Sequence, residues 1–308
     1  MHRAPTATGG PQSAFYIDGQ AIAVRSLPAG LHVVATPIGN LGDISLRALQ
    51  TLAGAALIAC EDTRVTRVLT ARYGIETRLF AYHDHNAEKQ RPKILELLAE
   101  GKAVALCSDA GTPLVSDPGY RLVNAALKAG HKVIPIPGAS AVLAALVASG
   151  LPSDAFLFVG FLPPKETGRM KRLAVFAEVP ATLIFFESPQ RLAASLASMA
   201  AALGGERKAV VARELTKTFE TVRRDTLAGL AAQLAAEAPP RGEVVVLVGP
   251  PEETAPAEED VEALLVALLE THSVREAAAE AAAKTGLPRR ELYARAQALK
   301  DEGGDEPA

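Results

Sequence analysis

Between Leu31 and Ile136, short apolar runs alternate with stretches whose apolar residues recur every three or four positions. The first pattern predicts strands and the second helices. Strands are expected at Leu31–Thr36, Ala55–Cys60, Thr77–Tyr82, Lys102–Ser108 and Lys132–Pro135. Helices are expected at Ser45–Ala53, Thr63–Tyr73, Ala87–Glu100, Gly119–Ala129 and Ser140–Ser149. Strand–helix alternation of this kind implies a mainly parallel sheet covered on both faces. In such sheets ligands sit at the carboxyl ends of the strands.

The segment Gly150–Asp154 reads as a hinge, and a second α/β unit follows. Its expected strands are Phe156–Phe161, Ala181–Phe186, Lys208–Glu214, Phe219–Arg224 and Glu243–Val248, with helices at Lys165–Ala177, Gln190–Leu203 and Leu227–Glu237. The adjacent pair Lys208–Glu214 and Phe219–Arg224 predicts antiparallel pairing, hence a mixed sheet. Helices near Val261–Thr271, Val274–Thr285 and Arg289–Lys300 close the pattern, with Ser273 as N-cap, Gly286 as stop and Pro288 as the next start. This is a helix-turn-helix outline, and equally that of a plain helical hairpin. The domains expected are therefore a flexible extension (1–29, with a short ordered piece at Ala21–Val24), two α/β domains (30–149 and 150–249), a linker (250–258), a helical module (259–300) and an acidic tail (301–308).

Composition narrows the class. The 308 residues are 49% hydrophobic and 22% charged, enough apolar content for a sizeable core. No uncharged apolar run approaches the roughly 18 residues of a membrane span. Two cysteines, Cys60 and Cys107, exclude a disulfide framework and suit a reducing cytoplasm. Each ends an apolar run, so both read as buried thiols rather than zinc ligands, and no metal is expected. The first thirty residues lack the pattern of a secretory signal. The net charge of −3 conceals a split: Phe161–Arg224 holds eleven basic and six acidic residues, whereas Glu252–Glu270 holds acidic charges alone. A basic second domain suggests a polyanion surface, or simply a solvated face.

The motifs exclude more than they assign. There is no Gly-x-Gly-x-x-Gly after the first strand and no Gly-Lys-Ser/Thr loop, so neither a dinucleotide fold nor a phosphate loop is supported. Instead, Pro37 and Gly39 give the loop after the first strand rigidity and close backbone approach. The fourth strand runs into Ser108-Asp109-Ala110-Gly111-Thr112-Pro113-Leu114, a loop of small residues where a small ligand would bind. Ser140 and Ala141 open a helix whose free N–H groups suit a carboxylate.

Several runs together resemble one family: Val34–Leu41, Cys60-Glu61-Asp62-Thr63-Arg64, Tyr82-His83-Asp84-His85-Asn86, Ser108–Gly119, Pro137–Ala141, Phe186-Glu187-Ser188-Pro189 and Ala212-Arg213-Glu214-Leu215-Thr216-Lys217. In order, and over about Leu31 to Lys300, they are similar to ribosomal RNA small subunit methyltransferase I, a family of 16S rRNA (cytidine-2′-O)-methyltransferases of tetrapyrrole-methylase fold. Asp84 stands where that pattern has Glu, and Phe185-Phe186 where it has an aromatic pair with Tyr. The resemblance implies two α/β domains with S-adenosylmethionine in the cleft between them, a C-terminal helical module, a homodimer, and 16S rRNA within the 30S subunit as partner. It places Pro37, Asp109, Ala110, Gly111, Pro113, Leu114, Ser140 and Ala141 around the cofactor, with Phe161, Glu187 and Gly242 as further additions. A tetrapyrrole or other small-molecule methylase, or a non-catalytic RNA-binding protein on this fold, are the alternatives.

A ribose hydroxyl needs a base to take its proton. His83 and His85 suit that role at neutral pH. Glu61 and Asp62 also follow a strand end, though Asp62 before Thr63 is equally a helix cap. Lys217 can stabilise a developing alkoxide. Arg64, Lys165, Arg169, Arg213, Arg289 and Arg290 are the expected RNA contacts, each equally explained as a surface ion pair or a packing residue. RNA recognition through shape, the 2′-hydroxyl and a splayed base is expected, with Tyr293 beside Arg289 and Arg290 on a second possible RNA surface.

Overall fold

The computed structural model describes residues 14–116, 119–251 and 258–302. The first thirteen residues of the expected extension, Asp117 and Pro118, most of the linker, and most of the acidic tail lie outside the described residues. The chain forms two compact units, Met1–Pro251 and Glu252–Ala308.

The first unit opens with strands β1 (Ala14–Ile17) and β2 (Gln20–Ala23), an antiparallel hairpin. Its turn is Asp18-Gly19, both at positive φ, as a two-residue hairpin loop requires. Phe15 is buried in the core, and the Tyr16 N–H donates to the Tyr73 carbonyl at 2.9 Å. The expected flexible extension is thus ordered from Ala14 onward, because the hairpin has an apolar face to bury.

Then come β3 (Gly30–Val34), α1 (Leu46–Gly54), β4 (Leu57–Cys60), α2 (Thr63–Arg72), β5 (Leu79–Ala81), α3 (Ala87–Ala99), β6 (Ala103–Cys107), α4 (Tyr120–Lys128), β7 (Val133–Ile136) and α5 (Ala141–Ser149). The five strands pair in parallel in the order β5-β4-β6-β3-β7. Strands β4 and β6 are buried throughout, which matches their unbroken apolar runs in the sheet interior. Side-chain caps from Ser45, Asp62 and Ser140 start α1, α2 and α5.

A second sheet follows from β8 (Phe156–Phe161), α6 (Glu166–Ala174), β9 (Thr182–Glu187), α7 (Leu192–Leu203), β10 (Lys208–Arg213), β11 (Thr221–Thr226), α8 (Leu227–Ala235) and β12 (Val244–Val248). Its order is β11-β10-β12-β9-β8, with only β8 and β9 parallel. Charged residues at Arg223, Arg224 and Asp225 guard the edge strand β11.

The two sheets share an apolar core. Val142, Ala145 and Leu146 of α5 pack with Ile184, Val210, Val245 and Leu247 of the second sheet. Arg224 donates to the Ser149 carbonyl at 2.9 Å and to the Ala148 carbonyl, closing the end of α5. These contacts keep Gly150–Asp154 from separating independent bodies. In the second unit, α9 (Glu258–Leu269), α10 (Val274–Thr285) and α11 (Arg289–Glu302) surround a core of Leu265, Ala277, Ala281, Leu292 and Ala296. A capping box at Ser273 and Glu276 starts α10, and Gly286 at φ 71° ends it.

Candidate active site

Three loops meet at the carboxyl ends of the parallel sheet. Thr36, after β3, exchanges two backbone hydrogen bonds with Gly111, after β6, at 2.9 and 3.0 Å. Thr112 Oγ1 donates to the Ala139 carbonyl at 3.3 Å, joining the loop after β7. Gly138 lies so near Ala35 that an added Cβ would stand 3.1 Å from the Ala35 methyl. Small residues in these loops therefore allow backbone to approach backbone.

Against these loops the second sheet closes a cavity of about 400 Å³, within the usual range for a small-molecule site. Its walls include Ile38, Ala110, Gly111, Ser140, Ala141, Val142, Phe161, Phe186, Glu187, Gly242 and Glu243. Beside it lies a second cavity of about 340 Å³, lined by Thr36, Pro37, Val65, Val68, Asp109 and Lys217 among others. Ile38, Ala110 and Glu243 face both. Of the eight residues expected around a cofactor, Ala110, Gly111, Ser140 and Ala141 line the first cavity. Pro37 and Asp109 line the second, as Ala110 also does, and Pro113 and Leu114 line neither. Phe161, Glu187 and Gly242 all line the first.

Four non-glycine residues at positive φ sit in the loops around these cavities: Leu114 and Ser116 after β6, and Glu214 and Thr216 after β10. Such backbone is costly and is held only where its surroundings enforce it. In the second loop the enforcement is visible. Lys217 Nζ donates to Glu214 Oε1 at 2.8 Å and to Glu243 Oε2 at 3.0 Å. An added Cβ on Gly39 would collide with the Lys217 side chain, and one on Gly242 with Glu214. Burial pulls the Lys217 ammonium down, but the bonds to its two carboxylates outweigh this and hold it protonated. Lys217 thus carries a fixed positive charge and cannot act as a base.

Glu187 is buried. It accepts hydrogen bonds from the Ser188 N–H at 2.8 Å, from Arg191 at 3.2 Å and from the Ser195 hydroxyl. These bonds fix the carboxylate on the wall of the first cavity.

The catalytic candidates separate on geometry. Asp62 caps α2 and forms a forked pair with Arg64, whose bonds hold its carboxyl at about 2. So low a value makes it a poor proton acceptor, and its role is structural. His83 is also excluded as the base. Asn86 Oδ1 accepts the His83 N–H at 3.0 Å, which fixes the amide so that its NH₂ faces Ala81 O and His83 Nε2, each at 3.1 Å. Nε2 is therefore the acceptor and the proton sits on Nδ1, which is buried and takes no hydrogen-bond partner among the described residues. His85 is exposed, its ring 6.0 Å from that of His83. Glu61 is half-buried and takes no hydrogen bond among the described residues. Burial raises its carboxyl, and repulsion from Asp109 and Asp84 adds to the shift. Asp109 is tied to this strand end by the Asp62 N–H at 3.0 Å.

The expected RNA contacts are corrected in part. Arg169 is buried and donates to Ser198 Oγ at 2.9 Å and to the Pro164 and Ala194 carbonyls, pinning α6 to α7. Arg213 spends its donors on Arg241 O, Phe219 O and Thr221 Oγ1. Arg207 and Arg224 likewise hold backbone carbonyls, so part of the basic excess is structural. Arg64 is exposed but paired with Asp62. Lys165, Arg289 and Arg290 are exposed, and Arg289 donates to the Arg275 carbonyl at 3.3 Å. Sequence reasoning missed Glu243, which faces both cavities; its signal is a lone charge directly before the apolar strand β12. It also missed the apolar walls Ile38, Val142 and Phe186.

Comparison with known proteins adds the relationships. A family model described as Tetrapyrrole (Corrin/Porphyrin) Methylases matches residues 30–231, and one described as RsmI C-terminal HTH domain matches residues 255–300. The chain is 58% identical to Ribosomal RNA small subunit methyltransferase I of Mesorhizobium japonicum, over 92% of this chain and 97% of the relative. It is 50% identical to the protein of that name from Pseudomonas aeruginosa, over 89% and 98% respectively. Among solved structures, diphthine synthase is similar with a TM-score of 0.56 at 19% identity, covering 71% of this chain and 89% of that one. Uroporphyrin-III C-methyl transferase from Thermus thermophilus, complexed with S-adenyl homocysteine, is similar with a TM-score of 0.51 at 22% identity, covering 71% and 97%. Identities this low speak to the fold alone.

Proposed function

The chain belongs to the tetrapyrrole methylase family, and on that premise we propose that it transfers a methyl group from S-adenosylmethionine to the ribose 2′-oxygen of a cytidine in 16S ribosomal RNA. The observation that carries this reading is the likeness to ribosomal RNA small subunit methyltransferases I through both units, including the helical module.

The residues of the first cavity fit the cofactor. Ile38, Val142, Phe161 and Phe186 offer apolar walls to a nucleoside, and the start of α5 at Ala141 offers N–H groups to a carboxylate. Glu187 adds a buried carboxylate to the wall of the same cavity. S-adenosylmethionine, when bound, supplies a methyl group on an already activated sulfur. The protein's task is to hold the acceptor oxygen in line, roughly 3–3.5 Å away. The second cavity takes the acceptor nucleoside, because it adjoins the first at Ile38, Ala110 and Glu243. Glu61, which stands beside that cavity rather than on its wall, accepts the 2′-hydroxyl proton: its carboxyl is raised and takes no hydrogen bond among the described residues, and its neighbour Asp62 is bonded to Asp109 on the wall. Lys165, Arg290 and Tyr293 contact RNA from exposed positions. The 30S subunit is the substrate form, and a second copy covers the apolar Leu143 and Val147 left exposed on α5.

Methyl transfer from labelled S-adenosylmethionine to 30S subunits, naked 16S RNA and a tetrapyrrole precursor tests the reading. Label in 30S subunits is expected. Label in the tetrapyrrole alone would replace RNA by a small molecule as the substrate.

A further inference from the structure

We infer that Glu243 and Lys217 read the pairing edge of the acceptor base and admit cytosine in preference to uracil; this rests on the reading that the second cavity holds the acceptor nucleoside. Both side chains line that cavity. An ammonium has three N–H donors and no acceptor. Lys217 gives one donor to Glu214 and one to Glu243, which leaves one. Glu243 accepts this bond on Oε2 at 3.0 Å, and its Oε1 takes no hydrogen bond among the described residues. The Glu243 side chain is 73% exposed to the cavity and solvent. Glu214, by contrast, is committed: its Oε1 also accepts the Glu243 N–H at 2.9 Å. The wall therefore presents one free donor beside one free acceptor. Its Lys217 half is held firmly, because Glu214 and Thr216 hold positive φ and Gly39 and Gly242 lie directly against the side chains of Lys217 and Glu214, and Lys217 in turn holds Glu243 Oε2.

Cytosine complements that wall. Its N4 amino group donates to the carboxylate while N3 accepts from the ammonium. Uracil held in the same orientation by its ribose opposes it at both points, with O4 against the carboxylate and N3–H against the ammonium. Guanine fails in the same way. Adenine shares cytosine's order, so this wall separates cytidine from uridine and guanosine and leaves adenosine to other contacts. A matched two-point contact of this kind discriminates by roughly 10- to 100-fold.

The test uses the full-length protein and 30S subunits carrying either cytidine or uridine at the acceptor position, mapped from the wild-type product. Single-turnover kcat/KM is measured for wild type, E243Q and E243D, with S-adenosylmethionine affinity measured alongside. Wild type should prefer cytidine at least tenfold. E243Q offers an amide that can donate to O4, so the preference should fall at least tenfold, with uridine methylated faster than by wild type. E243D keeps the carboxylate and should keep the preference. An unchanged ratio in E243Q, or equal loss in both variants, would overturn the inference while leaving the activity standing. Failure of wild type to label the cytidine subunits would remove the functional reading, and this inference with it.

Discussion

Replacing Arg169 by methionine separates two roles that the sequence left equal. As an RNA contact, Arg169 would bind a phosphate; in the structure it is buried and ties α6 to α7 through Ser198 Oγ at 2.9 Å and the Pro164 and Ala194 carbonyls at 3.2 and 3.4 Å. Methionine fills similar space but donates nothing. Hydrogen bonds from a charged donor are worth about 1.5–3 kcal/mol each at best, and the two longer bonds here contribute less. Ala194 O keeps the Ser198 hydroxyl at 3.0 Å as a donor, so the main orphans are Pro164 O and one lone pair of Ser198. The expected loss is about 2–4 kcal/mol. For a unit of this size that lowers Tm by roughly 5–15 °C. The assay pairs thermal unfolding with 16S RNA binding over a series of salt concentrations. Arg169→Met should lower Tm and leave the salt slope unchanged, whereas Lys165→Ala should leave Tm unchanged and reduce the slope by about one. An unaltered Tm with a shallower slope in Arg169→Met would refute the structural assignment.

Further expectations follow from the site. Glu61→Gln should slow transfer about 10²–10⁴-fold while S-adenosylmethionine affinity, measured by calorimetry, holds. Because burial raises the Glu61 carboxyl, wild-type kcat/KM should fall with decreasing pH along a limb above the ordinary carboxylate range, and that limb should vanish in the variant. Asp62→Asn should retain turnover. The Asp62 carboxyl is lowered to about 2, so its stabilising effect is present above its unfolded value near 4 and is lost as pH falls toward 2; denaturation midpoints across that window should converge for wild type and variant. Gly242→Ala forces a side chain into φ 96° with its Cβ 2.6 Å from Glu214 Cγ, and should cost about 2–4 kcal/mol by denaturant titration and slow transfer.

Much of this was legible in the chain. The unbroken apolar runs that became β4, β6 and β12 announce buried strands, and Ser45, Ser140 and Ser273 announce helix starts. The hairpin at Ala14–Ala23 was missed although Asp18-Gly19 is its signal, because the surrounding Ala, Pro and Gly content reads as a loop. Side-chain roles were less legible. Nothing local tells that Arg169 faces α7 rather than solvent, since a basic residue on a helix is ordinarily exposed. Asp62 as a cap was readable from Asp-Thr, but the loss of His83 as a base depends on which way the Asn86 amide points. Glu243 reaches the site only because β12 and β10 pair across 29 residues of sequence, which no spacing rule reveals.

The most direct measurement is nucleoside mass spectrometry of 30S subunits after reaction with the full-length protein and isotopically labelled S-adenosylmethionine. A single labelled nucleoside, 2′-O-methylcytidine, is expected. Label on a base carbon or nitrogen, or on a nucleoside other than cytidine, would contradict it.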